Sequence, residues 1–290
     1  MAEITARAVK ELRDKTGAGM MDCKRVLTDA DGDAAKAVEL LRERGLAKAG
    51  KRDGRATSEG AIAIALDGGR AGMIELGCET DFVAQTDEFT ALATALAAAV
   101  VSDETIASPD ALLAVSIDGE KAADRITAAI AKLGENVVVK RVACLDVAQG
   151  IAGGYVHAGG KLGVLVTLES TVTGAEIDKL ARDVAMHVAA ADPTPLAVDR
   201  DGLAPELLES ESSIYRKQAE QEGKPEKVID RITEGKLNKF VSGVCLVDQA
   251  FVKDADRSVG DLLAAVGGES GGEIRVAAFE RFKLGEAIEA

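Results

Sequence analysis

The sequence predicts an α+β fold with three parts: a three-helix head, a duplicated core of two related halves, and an inserted antiparallel helical hairpin. Three observations carry this expectation. The first 45 residues hold three short apolar stripes at helical spacing, two stretches of the body repeat one pattern of apolar residues and glycines, and a proline-bounded polar segment interrupts the second of them. At 290 residues and 47% hydrophobic content the chain can bury more than one core. With 6 Phe, 2 Tyr and no Trp, those cores must be built from Ala, Val, Leu and Ile.

In the head, Ile4, Ala8, Val9 and Leu12 line one face of a first helix, and Gly17 stands where a left-handed cap would end it. Asp22 is expected to cap a second helix carrying Val26 and Leu27, and Asp31-Gly32 turns the chain. Asp33 caps a third helix with Val38, Leu40 and Leu41 on its core face, and Gly45 is expected to stop it. Met20 and Met21, flexible and polarizable, suit a partner groove or the filling of a small core; one of the two is expected inside. Lys48 to Ser58, with Lys48, Lys51, Arg52 and Arg55, reads as a solvated tether that lets the head move, rather than as a nucleic-acid patch. Head and linker together are assigned to residues 1–54.

The body repeats itself. Glu59-Gly60-Ala61-Ile62 up to Gly72-Met73-Ile74 parallels Gln149-Gly150-Ile151-Ala152 up to Gly163-Val164-Leu165. The helices that follow match too, with Phe89, Leu92, Leu96 and Val100 against Ile177, Leu180, Val184 and Val188. Further on, Ala123-Asp124-Arg125 aligns with Ala255-Asp256-Arg257, and Arg141-Val142-Ala143 with Arg275-Val276-Ala277. The offset between copies grows across the middle, so roughly 43 residues are inserted into the second. Each half reads as a hairpin, one or two helices and a returning strand (Val137-Val138-Val139 with Val142, and Ile274-Arg275-Val276). The first half is assigned to residues 55–147 and the second to 148–191 and 237–290. The insert, 192–236, has Pro205 and Pro225 where helices begin and sparse apolar stripes (Leu207, Leu208, Ile214; Val228, Ile229, Ile232), as a projecting hairpin would.

Composition narrows function. The net charge of −14 argues against a nucleic-acid binder. Residues 1–58 carry 13 Lys and Arg against 10 Asp and Glu, leaving 22 against 39 in residues 59–290, a polarity that would orient a protein partner. Cys23, Cys78, Cys144 and Cys245 are scattered without a Cys-x-x-Cys, and with His157 and His187 as the two histidines no zinc site is expected. They read as buried, reduced thiols. Met1-Ala2-Glu3 leads directly into a helix, and with no signal peptide or 18-residue apolar span the chain is expected to be cytoplasmic and off the membrane.

A catalytic constellation is harder to find. Gly154 to Leu162 superficially suggests a phosphate loop, but Tyr155 occupies the first glycine position and Leu162 replaces the Ser or Thr that would hold magnesium. The stretch reads better as a hairpin turn between Ile151–His157 and Leu162–Leu168. His157, at its tip, is either a surface turn residue or a contact residue, while His187, beside Met186 and Val188, reads as a packed structural histidine. Asp and Glu residues show no pairing suited to acid–base work, so neither an enzyme nor a cofactor is expected.

Thr80-Asp81-Phe82-Val83 is the most informative segment. It follows an apolar run, Gly72 to Cys78, that reads as a strand, and it precedes a long Ala-rich helix. A strand-to-helix corner can project side chains from a rigid support, and a scarce aromatic beside a carboxylate would form a wedge. Alternatively, Phe82 closes the local core and Asp81 N-caps the helix.

Glu75-Leu76-Gly77-Cys78-Glu79-Thr80-Asp81-Phe82-Val83-Ala84 resembles the core signature of the elongation factor Ts family. Leu12-Arg13-Asp14-Lys15-Thr16-Gly17-Ala18-Gly19-Met20-Met21-Asp22-Cys23-Lys24 is similar to that family's amino-terminal signature. Lys132 to Asn136, Ala185 to Ala190 and Gly223-Lys224-Pro225 extend the resemblance over nearly the whole chain; Gly77 and Gln85 depart from it, standing where the family often has Asn and a basic residue. Gly32 to Leu41 is similar to the last helix of ubiquitin-associated domains, which implies a three-helix fold and leaves a peptide-binding adaptor as the competing function. The elongation factor Ts resemblance implies a guanine-nucleotide exchange factor whose partner is elongation factor Tu, GDP-bound or nucleotide-free. It implies that Thr80, Asp81, Phe82 and Val83 enter the partner's GTPase domain and dislodge magnesium and the phosphate loop. Leu12, Met20, Met21 and Lys24 would touch the same domain, Leu133, Gly134 and Glu135 would add a loop contact, and the His157 hairpin would meet another domain. Self-association through the hairpin or core is left open.

Overall fold

The computed structural model describes residues 4–16, 18–50, 52 and 54–287, without the side chains of residues 46–49. The expected cap at Gly17, Lys51, the Lys48 side chain and the start at Met1-Ala2-Glu3 fall outside the described residues.

The head is built from α1 (Ala6–Thr16), α2 (Met20–Asp29) and α3 (Ala34–Gly50). Their apolar stripes meet in a small core of Val9, Leu12, Cys23, Val26, Leu27, Ala30 and Ala37. Asp33 caps α3 as expected, its Oδ1 accepting from the Ala35 and Lys36 amides at 2.9 and 3.1 Å. Asp22 is not the cap of α2; Gly19 holds that position, and Asp22 lies in the first turn, where its charge suits the helix dipole. Gly45 does not end α3. It is buried inside the helix, facing Ala131 of a core helix, so it sits at a helix–helix contact and not at the helix end.

That packing also corrects the tether. Helix α3 lies along a core helix, with Arg42 paired to Asp124. The segment after it is pinned to the core: Arg52 donates to the Ile130 carbonyl at 3.1 Å, Asn136 Nδ2 to the Arg55 carbonyl at 3.1 Å, and Lys140 Nζ to the Thr57 carbonyl.

The first half runs β1 (Glu59–Asp67), β2 (Arg70–Cys78), α4 (Asp81–Ala84), α5 (Asp87–Ser102), α6 (Pro109–Ala114), β3 (Ser116–Ile117), β4 (Glu120–Lys121), α7 (Ala122–Leu133) and β5 (Val137–Asp146). The second runs β6 (Gly150–Val156), β7 (Leu162–Ser170), α8 (Ala175–Ala190), α9 (Pro205–Gln221), α10 (Glu226–Val244), β8 (Ala250–Phe251), β9 (Asp254–Ser258), α11 (Val259–Ser270) and β10 (Ile274–Lys283). Each half forms an antiparallel three-stranded sheet with the hairpin's second strand in the middle, β1-β2-β5 and β6-β7-β10. Phe89, Leu96 and Val100 of α5 cover the first sheet, and Leu180, Val184 and Val188 of α8 cover the second. The uncovered faces meet through Ile62, Ala71, Met73, Ala152, Leu165 and Phe282. Helices therefore lie outside and the sheets pack on each other.

Register corrects part of the repeat alignment. Val137 pairs with Cys78 as Ile274 pairs with Ser170, and each returning strand skips one residue, Lys140 and Ala277, at the same place in the ladder. The structural counterpart of Arg141 is thus Ala278, not Arg275. Ala255–Arg257 lie in strand β9, whereas Ala123–Arg125 begin helix α7. Short motif matches had slipped along a register that backbone pairing sets.

Arg141 instead joins the halves. Its guanidinium bonds Glu75, which is 2% exposed, at 2.7 Å, donates to the Lys283 carbonyl at 2.9 Å and lies 4.2 Å over the Phe282 ring.

The two inserted helices, α9 and α10, form the hairpin. Pro205 is in the first turn of α9, Pro225 caps α10, and α10 continues past residue 236 to Val244. Its end packs Val241 and Val244 on Ala197 and Leu203. His187 lies beneath this base at 1% exposure. Its Nδ1 accepts from the Val252 amide at 3.2 Å, so Nε2 carries the proton and donates to Gln249 Oε1 at 3.0 Å. The Gln249 amide in turn donates to the Pro193 and Gly243 carbonyls. Burial holds the His187 pKa below the ordinary 6.5. The unfolded chain then takes up that proton first, so stability is full above pH 6.5 and falls as pH drops below it. Melting temperatures measured between about pH 7.5 and about pH 5 should decline, and less steeply in His187→Gln.

Candidate functional site

Strand β2 delivers the corner. It ends at Cys78, whose partner Val137 begins β5, so the next backbone groups leave the ladder. Thr80, extended at φ −128° and ψ 154°, N-caps the single turn α4 by accepting from the Val83 amide at 3.4 Å. Thr86 then caps α5 by accepting from Phe89 at 3.3 Å. Asp81 is thus the first helical residue, not a cap.

The two sides of the turn point apart. Val83 packs toward the core, Ala84 is buried and Phe89 is completely enclosed. Phe82 is 82% exposed, the most exposed of the large apolar side chains among the described residues, and Asp81 is exposed beside it. A buried seat for the aromatic is excluded by this geometry. The ring is held in water on a capped corner and has no seat within its own fold.

The Leu133-Gly134-Glu135 loop lies directly against this corner. Gly134, at φ 82°, caps α7 in the left-handed region and turns the chain back. Glu135 then reaches across, Oε2 accepting from the Glu79 and Thr80 amides at 3.0 and 2.9 Å and Oε1 from the Thr80 hydroxyl at 2.6 Å. Glu79 returns the contact, Oε1 accepting from the Asn136 amide at 2.8 Å, which holds its carboxyl below the usual range with help from Arg55 at 3.3 Å. Cys78 Sγ donates to the Thr80 carbonyl at 3.1 Å, and burial pushes this thiol up to about 11. Cys23 and Cys245 are buried too, while Cys144 is only partly so.

The second half's hairpin comes to the same end of the molecule. His157 is exposed at its tip, with Nδ1 2.9 Å from the Tyr155 hydroxyl. Gly160 accepts from the Ile62 amide at 2.7 Å, and Lys161 pairs with Glu59 at 2.7 Å within the field of Asp81. In the head, Met20 and Met21 are both exposed, at 57% and 67%, as is Lys24. Cys23, Val26 and Leu27 take the core face of α2, so neither methionine fills the core. Leu12 is 4% exposed and belongs to the head's own core.

Glu79, Asn136, Arg55 and Lys161 shape the site although the sequence alone marks none of them as a site residue. Their partners lie tens of residues away, and no local periodicity marks them. Among the described residues no group of His, Cys, Asp and Glu is placed to hold a metal ion, and no helix is long and apolar enough to cross a membrane.

The duplicated body presents an aromatic and a carboxylate on a capped corner, and the head presents two exposed methionines, residue types that are enriched where one protein meets another. Residues 79–286 match the family described as Elongation factor TS. The chain is 43% identical over 289 residues to elongation factor Ts of Clostridium perfringens, covering 99% of this chain and 94% of that protein. It is 44% identical over 290 residues to elongation factor Ts of Clostridium botulinum, with the same coverage. The chain belongs to the elongation factor Ts family, and its role is in translation elongation.

Proposed function

We propose that this chain is the guanine-nucleotide exchange factor of elongation factor Tu in the cytoplasm, acting by contact and not as an enzyme. The exposure of Phe82 on a doubly capped corner supports this reading most directly. A GTPase holds GDP through a phosphate-cradling loop and magnesium. A factor that binds the nucleotide-free form better than the GDP form must weaken GDP by the same coupling factor. Thr80, Asp81, Phe82 and Val83 form the wedge, which enters between helices of the GTPase domain near the magnesium site and displaces the ion and the loop. Burying the Phe82 ring supplies about 2–3 kcal/mol. A coupling of about 1.4 kcal/mol already changes nucleotide affinity tenfold.

The remaining contacts spread the grip. Met20, Met21 and Lys24 bind the same domain, Leu133 and Gly134 add a loop contact, and the His157 hairpin reaches another domain. An adaptor built on the head alone would leave the exposed corner without a role. Release of labelled GDP from purified elongation factor Tu, with and without this chain, tests the proposal: a large acceleration supports it, and an unchanged rate ends it.

A further inference from the structure

We infer that Glu135 is a positioning residue for exchange: its carboxylate clamps the corner so that the Phe82 ring is held in place before any partner arrives. This rests on the reading of Phe82 as the wedge. The corner cannot hold itself. Helix α4 has four residues, too few for a stable turn in water, and the sheet ladder stops at Cys78. The ring's position is therefore set by the packing of Val83 and Ala84 on the core and by what attaches Glu79 and Thr80 to the body. Those attachments are dominated by one carboxylate, which accepts from two backbone amides and a hydroxyl within 3.0 Å. The same Thr80 hydroxyl caps α4, so the clamp and the cap share an atom. Glu79 ties the opposite loop back through the Asn136 amide, which makes the Phe82 corner and the Leu133-Gly134 loop one rigid unit. Both Glu135 oxygens accept bonds from the corner itself, so Glu135 acts on exchange through the position of Phe82. Pre-organisation of this kind removes the ordering penalty from the binding step.

A double-mutant cycle in the full chain tests this, reading GDP release from elongation factor Tu across a range of factor concentrations. Glu135→Ala should slow release about three- to tenfold at limiting factor, by freeing the corner. Glu135→Gln keeps a carbonyl oxygen for the two amides and should restore most of the rate, with its melting curve confirming the fold. In a Phe82→Ala background, Glu135→Ala should change the rate by less than about twofold, because there is no ring left to position. Hydrogen exchange at the Glu79 and Thr80 amides should rise in Glu135→Ala. Full multiplication of the two effects would show that Glu135 acts apart from the ring and overturn the inference. So would wild-type release by Glu135→Ala while Phe82→Ala is slow. If Phe82→Ala itself exchanges normally, the wedge reading falls and takes the clamp with it.

Discussion

Phe82→Ala should slow factor-stimulated GDP release from elongation factor Tu by at least about tenfold, while the fold melts as before. The size follows from burial: a ring moved from water into a GTPase groove contributes about 2–3 kcal/mol, and alanine keeps little of that. The intact fold follows from exposure, since a side chain 82% in water makes few contacts to lose and such surface changes cost within about 0.5 kcal/mol. Asp81→Ala should act in the same direction and more weakly, because its charge is solvated beside the ring. Stopped-flow release of labelled GDP and a melting curve separate the two quantities. Normal release by Phe82→Ala would remove the wedge.

Gly150→Ala should be the most damaging small substitution in the core, costing about 3 kcal/mol or more. Gly150 opens the edge strand of the second sheet at φ 149°, a conformation that residues with a Cβ rarely adopt. A methyl group there would lie 1.9 Å from the Leu168 carbonyl oxygen, a backbone atom of the central strand that cannot move without breaking the ladder. The first half repeats this detail at Gly60, with φ 152° and a Cβ 2.1 Å from the Leu76 carbonyl. At about 2–4 °C per kcal/mol for a chain of this size, the melting temperature should fall by roughly 6–12 °C. Gly159→Ala is the comparison. Gly159 also has positive φ, 89°, but faces open space, and should cost only about 1–2 kcal/mol. Similar melting of the two variants would show that the close approach at Gly150 relaxes freely.

The paired glycines show what a repeat can and cannot tell. Gly60 and Gly150 align in the sequence, and both take the same backbone form at the same point in the sheet. Arg141 and Arg275 align equally well as letters, yet one bridges the two halves through Glu75 and the other pairs with Glu169 at the surface. The glycine signal is local, because a positive φ constrains its own residue. An arginine's role depends on which strand lies beside it.

Local chemistry was enough for the head's helices, the cap at Asp33, the α+β class, the duplicated hairpins and the proline-started helices of the arm. It also marked Thr80-Asp81-Phe82-Val83 as a corner between strand and helix. Tertiary structure alone decided that Phe82 faces water while Leu12 does not, that Gly45 is a packing contact inside a longer helix, and that the tether is pinned to the core. It alone brought Glu135 to the Thr80 amide across 55 residues of chain. Periodicity and capping are properties of a few neighbouring residues and are written in their order. Which faces meet, and which carboxylate finds which amide, follows from how distant segments pack.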